Sequence, residues 1–253
     1  MRDGDGEPAG VALVTGAGRG LGAEIARALG RAGYAVAVND LAGNPGAPAV
    51  VEQIRAAGGT AELFPADVTG EDAVPGLVAE VERRLGAVRV LVVNATGPQP
   101  VIGVEDLCWQ DLLDQLVFFV KSPTLLVQAV LPSMKARGGG RIINIGSDLF
   151  ERATPGFSAY SAAKGAQLAL TRTWARELGP YGITVNLVAP GWIPVERHAE
   201  VPAEVLRAYA DEVALRRFGS PGEVAAAVVF LASAEAAFIT GERIAVNGGH
   251  TIA

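Results

Sequence analysis

Three side chains in the middle of this chain have the types and spacing to move a proton. Tyr160 and Lys164 stand four residues apart in a segment patterned as a helix, so they share one face. An ammonium beside a phenol favours the phenolate and draws its pKa down from ~10 toward neutrality. Ser147 lies thirteen residues before Tyr160 and closely follows the apolar run at 141–145. Its hydroxyl could hold a reacting oxygen in register. Together the three could pass a proton to or from a substrate oxygen.

A second group, near the N-terminus, has the makings of an anion cradle. Thr15-Gly16-Ala17-Gly18-Arg19-Gly20-Leu21-Gly22 follows the apolar run Val11-Ala12-Leu13-Val14. Four glycines let the backbone approach a pyrophosphate, and a following helix would offer free N–H groups and its positive end. Between a buried strand and a helix, this turn is expected to bind a dinucleotide. Asp40 closes the next strand, 18 residues past Gly22. A carboxylate there can accept both hydroxyls of an adenosine ribose and repels a 2′-phosphate. Leu41-Ala42-Gly43 adds no base, so NAD is favoured over NADP, with Arg19 as the opposing cation. Asp67-Val68 and Asn94-Ala95-Thr96-Gly97 follow later strands and fall on the same edge, where Asp, Asn and Gly also serve as turn residues.

The elements that must carry these residues alternate strand and helix. Short apolar runs at 11–14, 35–38, 60–64, 90–93, 141–145, 183–188 and 243–246 have the pattern of strands buried on both faces. Helical patterns lie between them, through about Ala32 and over 71–85, 105–135, 158–178 and 221–233. Pro123 predicts a kink or break in the longest of these. The order implies an α/β fold: one doubly wound, Rossmann-type sheet of about seven parallel strands, helices on both faces, ligands beyond the carboxyl ends of the strands. Residues 9–253 are expected to form this single domain, behind a flexible tail at 1–8.

Composition excludes several alternatives. Half of the 253 residues are apolar and 19% are charged, which suits a packed core and not a disordered chain. The net charge is −6 with no basic run, so no nucleic-acid partner is expected. One Cys and two His leave no intrachain disulfide and no Cys/His metal cluster. The acidic start has no signal-peptide pattern, and no apolar run reaches the ~18 residues of a membrane span. A soluble cytoplasmic protein with no membrane partner is expected.

The combination of Thr-Gly-x-x-x-Gly-x-Gly, Asn94-Ala95, Ser147, Tyr160-x-x-x-Lys164 and Pro190-Gly191 resembles the short-chain dehydrogenase/reductase family, and most of all its 3-oxoacyl-(acyl-carrier-protein) reductases. The resemblance runs from about Val11 to the C-terminus and includes the Ile239-Thr240-Gly241 … Asn247-Gly248-Gly249 ending. It implies an NAD(P)-dependent oxidoreductase that interconverts a secondary alcohol and a ketone. Gly16, Arg19, Gly20, Leu21 and Gly22 would cradle the dinucleotide. Asp40, Asp67 and Val68 would hold its adenosine half, and Asn94 and Ala95 its middle. Thr96, Pro190, Gly191 and Ile193 would lie by the nicotinamide, with Ile193 bonding the carboxamide through its backbone. Tyr160 would be the general acid/base, Lys164 would hold the nicotinamide ribose, and Ser147 would orient the substrate. A homotetramer or homodimer is implied, as is a small-molecule substrate walled by 97–100, 148–151 and 192–218, where Arg197-His198 could grip an anion.

Three positions depart from the family pattern. Thr96 stands where Gly is usual, and Val195 where Thr is common. The family's Asn in the helix after the fourth strand is missing: no Asn occurs between Ala95 and Ile143, and the best register puts Phe119 in its place. Proton delivery is therefore expected to run another way. Two alternatives stay open: a sugar or polyol dehydrogenase of the same family, and a cofactor-binding member without turnover.

Overall fold

A computed structural model describes residues 9–196 and 201–252; the expected tail at 1–8 lies outside them. The strands are β1 (Val11–Val14), β2 (Ala35–Asp40), β3 (Thr60–Pro65), β4 (Val88–Val93), β5 (Gly140–Ile145), β6 (Ile183–Pro190) and β7 (Arg243–Val246). The helices are α1 (Gly20–Arg31), α2 (Gly46–Ala56), α3 (Ala73–Leu85), α4 (Trp109–Leu116), α5 (Ser122–Ala136), α6 (Leu149–Arg152), α7 (Ser158–Leu178), α8 (Ala203–Glu212) and α9 (Pro221–Ala232). The sheet order is β3-β2-β1-β4-β5-β6-β7, with every neighbouring pair parallel, as expected from the alternation of strands and helices.

Alternate residues of each strand point to opposite faces, and both faces are covered. Ala12, Val14, Val36, Val90, Val92 and Ile143 pack against Ile25 and Leu29 of α1, Val50 and Ile54 of α2, and Val224 and Val228 of α9. Leu13, Ala37, Leu91, Val93 and Ile142 pack against α3, α5 and the end of α7. This double burial explains the continuous apolar runs in the sequence.

Helix α2 escapes the sequence pattern because Pro45, Gly46 and Pro48 look like a loop. Pro48 falls in the first helical turn, where its missing N–H costs no bond, and burial of Val50, Val51 and Ile54 stabilises the remaining turns. The expected break near Pro123 takes a specific form. A π-helical turn, Val117–Lys121, separates α4 from α5, and Pro123 sits in the first turn of α5. Its extra residue per turn re-aims the side chains around it. The continuous helical stretch Trp109–Ala136 is long and apolar enough by length and composition alone to cross a membrane, although polar residues such as Gln115, Lys121 and Gln128 interrupt it. Here Leu126, Val127, Val130 and Met134 of that stretch are spent on the sheet core.

Candidate active site

The strand order reverses between β1 and β4, and in such sheets ligands bind beyond the carboxyl ends of the strands at that switch point. Thr15 ties the two ends together. Its hydroxyl donates to the Val92 carbonyl (3.3 Å) and accepts from the N–H groups of Asn94 (3.0 Å) and Ala95 (3.1 Å). The Asn94 amide donates to the carbonyls of Thr15 (2.9 Å) and Gly16 (3.1 Å). Asn94 and Ala95, expected to touch a cofactor, thus also brace the Gly-rich turn from behind.

Two glycines are dictated by this bracing. Gly16 has φ +62°, and a Cβ on it would lie 2.8 Å from the Ala95 Cα. A Cβ on Gly22 would lie 2.2 Å from the Gly16 carbonyl oxygen. Helix α1 then begins at Gly20 with no acidic residue in its first turn and, among the described residues, no side-chain cap from Arg19. Its N-terminal N–H groups and positive end therefore remain for an anion beside Gly20, Leu21 and Gly22. Arg19 itself is exposed.

Asp40 lies against the turn, where its carboxylate accepts from the N–H groups of Gly18 (2.7 Å) and Leu41 (2.8 Å). Asp67 is folded into a local turn, accepting from the Thr69 N–H (2.9 Å) and hydroxyl (2.7 Å), and Val68 is buried. Pro190 closes β6, and the Gly191 N–H donates to the Val246 carbonyl (3.1 Å). Ile193 is buried, Thr96 is exposed, and Val195 lies 3.6 Å from where a Gly20 Cβ would stand. The segment after β6 therefore reaches the Gly-rich turn. A cradle too tight for side chains, an uncapped helix start and a fixed carboxylate beside them fit a dinucleotide.

The second centre gathers at the end of β5. Lys164 is buried on α7, and its ammonium donates to the Ile145 carbonyl (2.6 Å) and the Gln167 side-chain carbonyl (3.1 Å). It lies 3.8 Å from the centroid of the Phe119 ring and 5.7 Å from that of Tyr160. The Phe119 and Tyr160 rings meet edge-to-face at 5.3 Å, and Phe157 packs on Tyr160 at 6.4 Å. Ser147 follows Ile145 by two residues, and its hydroxyl accepts from the Leu149 N–H (3.1 Å) at the start of α6. The π-helical turn carries Phe119, expected at the place of the family's Asn, against the ammonium. Sequence reasoning missed Gln167, although its i, i+3 spacing from Lys164 was a usable signal.

Tyr209 of α8 was also missed. Its hydroxyl accepts from the Trp192 N–H (2.6 Å), and Trp192, Tyr209 and Phe218 pack together. Trp192 is thereby part of an aromatic wall. Arg197 and His198 lie outside the described residues. Pro98 and Pro100, from the expected wall, line a cavity of about 220 Å³ with Asp111, Asp114, Gln115 and Phe118.

Asp148, next to Ser147, is buried beside Asn247 (3.3 Å), His250 (3.6 Å) and Arg152 (3.9 Å). Burial pushes its carboxyl above the usual carboxylate range, against the opposing pull of Arg152, Asn247, His250 and Arg243. The folded protein therefore holds this proton more tightly than the unfolded chain does. Its contribution to stability is complete below the unfolded value, ~3.9, and is lost as pH rises through the folded one. Asp148→Asn, which carries no charge at any pH, is expected to raise Tm at neutral pH and to flatten the dependence of Tm on pH above ~4. Thermal melts of both proteins across that range check it; an Asn variant less stable at neutral pH with an unchanged slope would contradict it.

A family model described as enoyl-(acyl carrier protein) reductase matches residues 16–251. A 3-oxoacyl-(acyl-carrier-protein) reductase of Staphylococcus epidermidis is 39% identical over 94% of this chain and 97% of its own. The chain belongs to the short-chain dehydrogenase/reductase family. As a member it is an NAD(P)-dependent oxidoreductase of alcohol and ketone groups. The structure of a gluconate 5-dehydrogenase from Burkholderia cenocepacia in complex with NADP and tartrate superposes with a TM-score of 0.90 at 33% identity, covering 97% of this chain and 96% of that one. That of the promiscuous reductase LugOII, which catalyses keto-reduction at C1 during lugdunomycin biosynthesis, gives 0.89 at 36% identity, covering 97% and 99%.

Proposed function

We propose that residues 9–253 act as one domain that interconverts a secondary alcohol and a ketone of the 3-oxoacyl type, using NAD(H) in preference to NADP(H), with Tyr160 as general acid/base. The observation that carries this reading is the Lys164 ammonium packed 5.7 Å from the Tyr160 ring at the end of β5. A cation at that range favours the phenolate. In reduction the Tyr160 hydroxyl gives its proton to the carbonyl oxygen of the substrate; in oxidation the phenolate takes the proton from the alcohol. Ser147 donates to the same oxygen and holds it in register. The nicotinamide supplies or accepts the hydride. Gly16, Arg19, Gly20, Leu21 and Gly22 would cradle the dinucleotide, Asp40, Asp67 and Val68 would hold its adenosine half, Asn94 and Ala95 its middle, and Thr96, Pro190, Gly191, Ile193, Tyr160 and Lys164 its nicotinamide half.

The preference for NAD rests on Asp40. A 2′-phosphate beside this carboxylate would be repelled, and the N–H groups of Gly18 and Leu41 already fix it in place. Titration with NADH and NADPH, followed by nicotinamide fluorescence, is expected to show NADH bound about tenfold tighter or better, a difference of ~1.4 kcal/mol. Asp40→Ser is expected to narrow that gap. Equal affinity in the wild type would credit Arg19 and refute the preference. Selection of NAD also favours a second reading, oxidation of a sugar or polyol, which a substrate screen with NAD separates from ketone reduction.

The enzyme works in the cytoplasm as a homotetramer or homodimer. Phe118, Leu125 and Trp174 are left only partly buried in the single chain, and a second copy would cover them.

A further inference from the structure

The Lys164 ammonium, packed on Phe119, has a hydrogen-bond partner within its own helix α7. Gln167 is 1% exposed and follows Lys164 by three residues, less than one helical turn away. Its side-chain carbonyl accepts from the Lys164 ammonium at 3.1 Å. Its backbone carbonyl accepts from the Thr171 hydroxyl (2.8 Å), which in turn accepts from the Asn144 amide of β5 (2.9 Å). The Ile145 carbonyl of the same strand accepts from the ammonium at 2.6 Å. The face of Phe119 closes a third side at 3.8 Å. A buried ammonium needs such partners, because an ion removed from water without them is strongly disfavoured.

We propose that Gln167 is a positioning residue for Lys164: its side-chain carbonyl, with the Ile145 carbonyl and the Phe119 ring, holds the ammonium toward Tyr160. The proposal rests on the reading of Tyr160 and Lys164 as the proton-transfer pair. Gln167 is buried and acts through Lys164. It acts by keeping the cation aimed at the phenol, so removing its carbonyl weakens the field at Tyr160 while the ring packing stays.

The test needs no substrate. The chain has four tyrosines, Tyr34, Tyr160, Tyr181 and Tyr209. The difference in tyrosinate absorbance between the wild type and Tyr160→Phe, followed across pH, isolates Tyr160. The same difference is then taken between Gln167→Met and Gln167→Met/Tyr160→Phe. Methionine keeps the length and helix preference of glutamine and removes the acceptor. The Tyr160 midpoint is expected to rise by about one pH unit, a partial loss of the field of a cation at this range. A midpoint unmoved in a folded Gln167→Met protein overturns the proposal, because a space-filling side chain would change Tm and not the titration. Should that variant fail to fold, Gln167→Glu keeps the acceptor and sets a negative charge on the ammonium, raising the midpoint by about one unit or more. An unshifted midpoint there means that the side chain at 167 does not reach the cation, and also overturns the proposal. A wild type that turns over neither alcohol nor ketone would instead sink the proposed function, and the absorbance titration stays separate from that result.

Discussion

Tyr160→Phe is expected to lower turnover by more than a hundredfold while leaving NADH binding within about twofold. General acid/base catalysis by one placed side chain accounts for ~10²–10⁴ in rate, or roughly 3–5 kcal/mol of barrier. The substitution removes one oxygen and keeps the ring. The edge-to-face contact with Phe119 at 5.3 Å and the packing of Phe157 at 6.4 Å do not need the hydroxyl. The fold should therefore persist, with Tm within a few degrees of the wild type. Lys164 keeps its bonds to Ile145 and Gln167, so the loss should fall on kcat and not on cofactor affinity. Steady-state rates and nicotinamide fluorescence on the same preparation decide it. A variant that retains a tenth of wild-type turnover would remove Tyr160 from the proton-transfer role.

Gly22→Ala is expected to abolish cofactor binding and to destabilise the protein by about 2–3 kcal/mol. The new Cβ would lie 2.2 Å from the Gly16 carbonyl oxygen and 2.5 Å from the Asn94 amide nitrogen. Neither neighbour is free to move: Asn94 donates to the Thr15 and Gly16 carbonyls, and Thr15 is held to β4. One methyl group therefore has to break the brace between β1 and β4 or lift α1 from the turn. Both outcomes spoil the helix end that is proposed to face the pyrophosphate. Gly76→Ala is the control, since a Cβ there meets nothing within 4 Å in the exposed part of α3. It should stabilise by roughly 0.5–1 kcal/mol, the usual gain of Ala over Gly inside a helix. Melting curves and an NADH titration of the two variants test the contrast; Gly22→Ala binding like the wild type would mean that the turn does not carry the cofactor.

Much of this architecture is legible in the residues alone. Val11–Val14 is apolar throughout because both faces of β1 are buried, and such runs mark parallel central strands without tertiary knowledge. Tyr160 and Lys164 pair by helical spacing alone. Helix α2 is not legible, because two prolines and a glycine at its start mask a helix made stable by contacts with α1 and β2. Helix α8 lies within the 192–218 stretch expected to wall the substrate, and Tyr209 within it gives no local sign that its hydroxyl reaches the backbone of Trp192.

The sequence by itself determined the order of the strands along the chain and most of the helices between them, the Gly-rich turn, the Asp40 carboxylate beside it and the Ser147, Tyr160 and Lys164 set. Each of these is written in residue types within one element or at one junction, where periodicity, turn chemistry and helix-face spacing act locally. Only the tertiary structure decided what holds those residues in place. Thr15 meets Asn94 across 79 positions, Lys164 meets the Ile145 carbonyl across 19, and Phe119 reaches the ammonium because a π-helical turn re-aims it. Such contacts join segments that only folding brings together, and their geometry depends on sheet register and helix docking, which local sequence pattern does not encode.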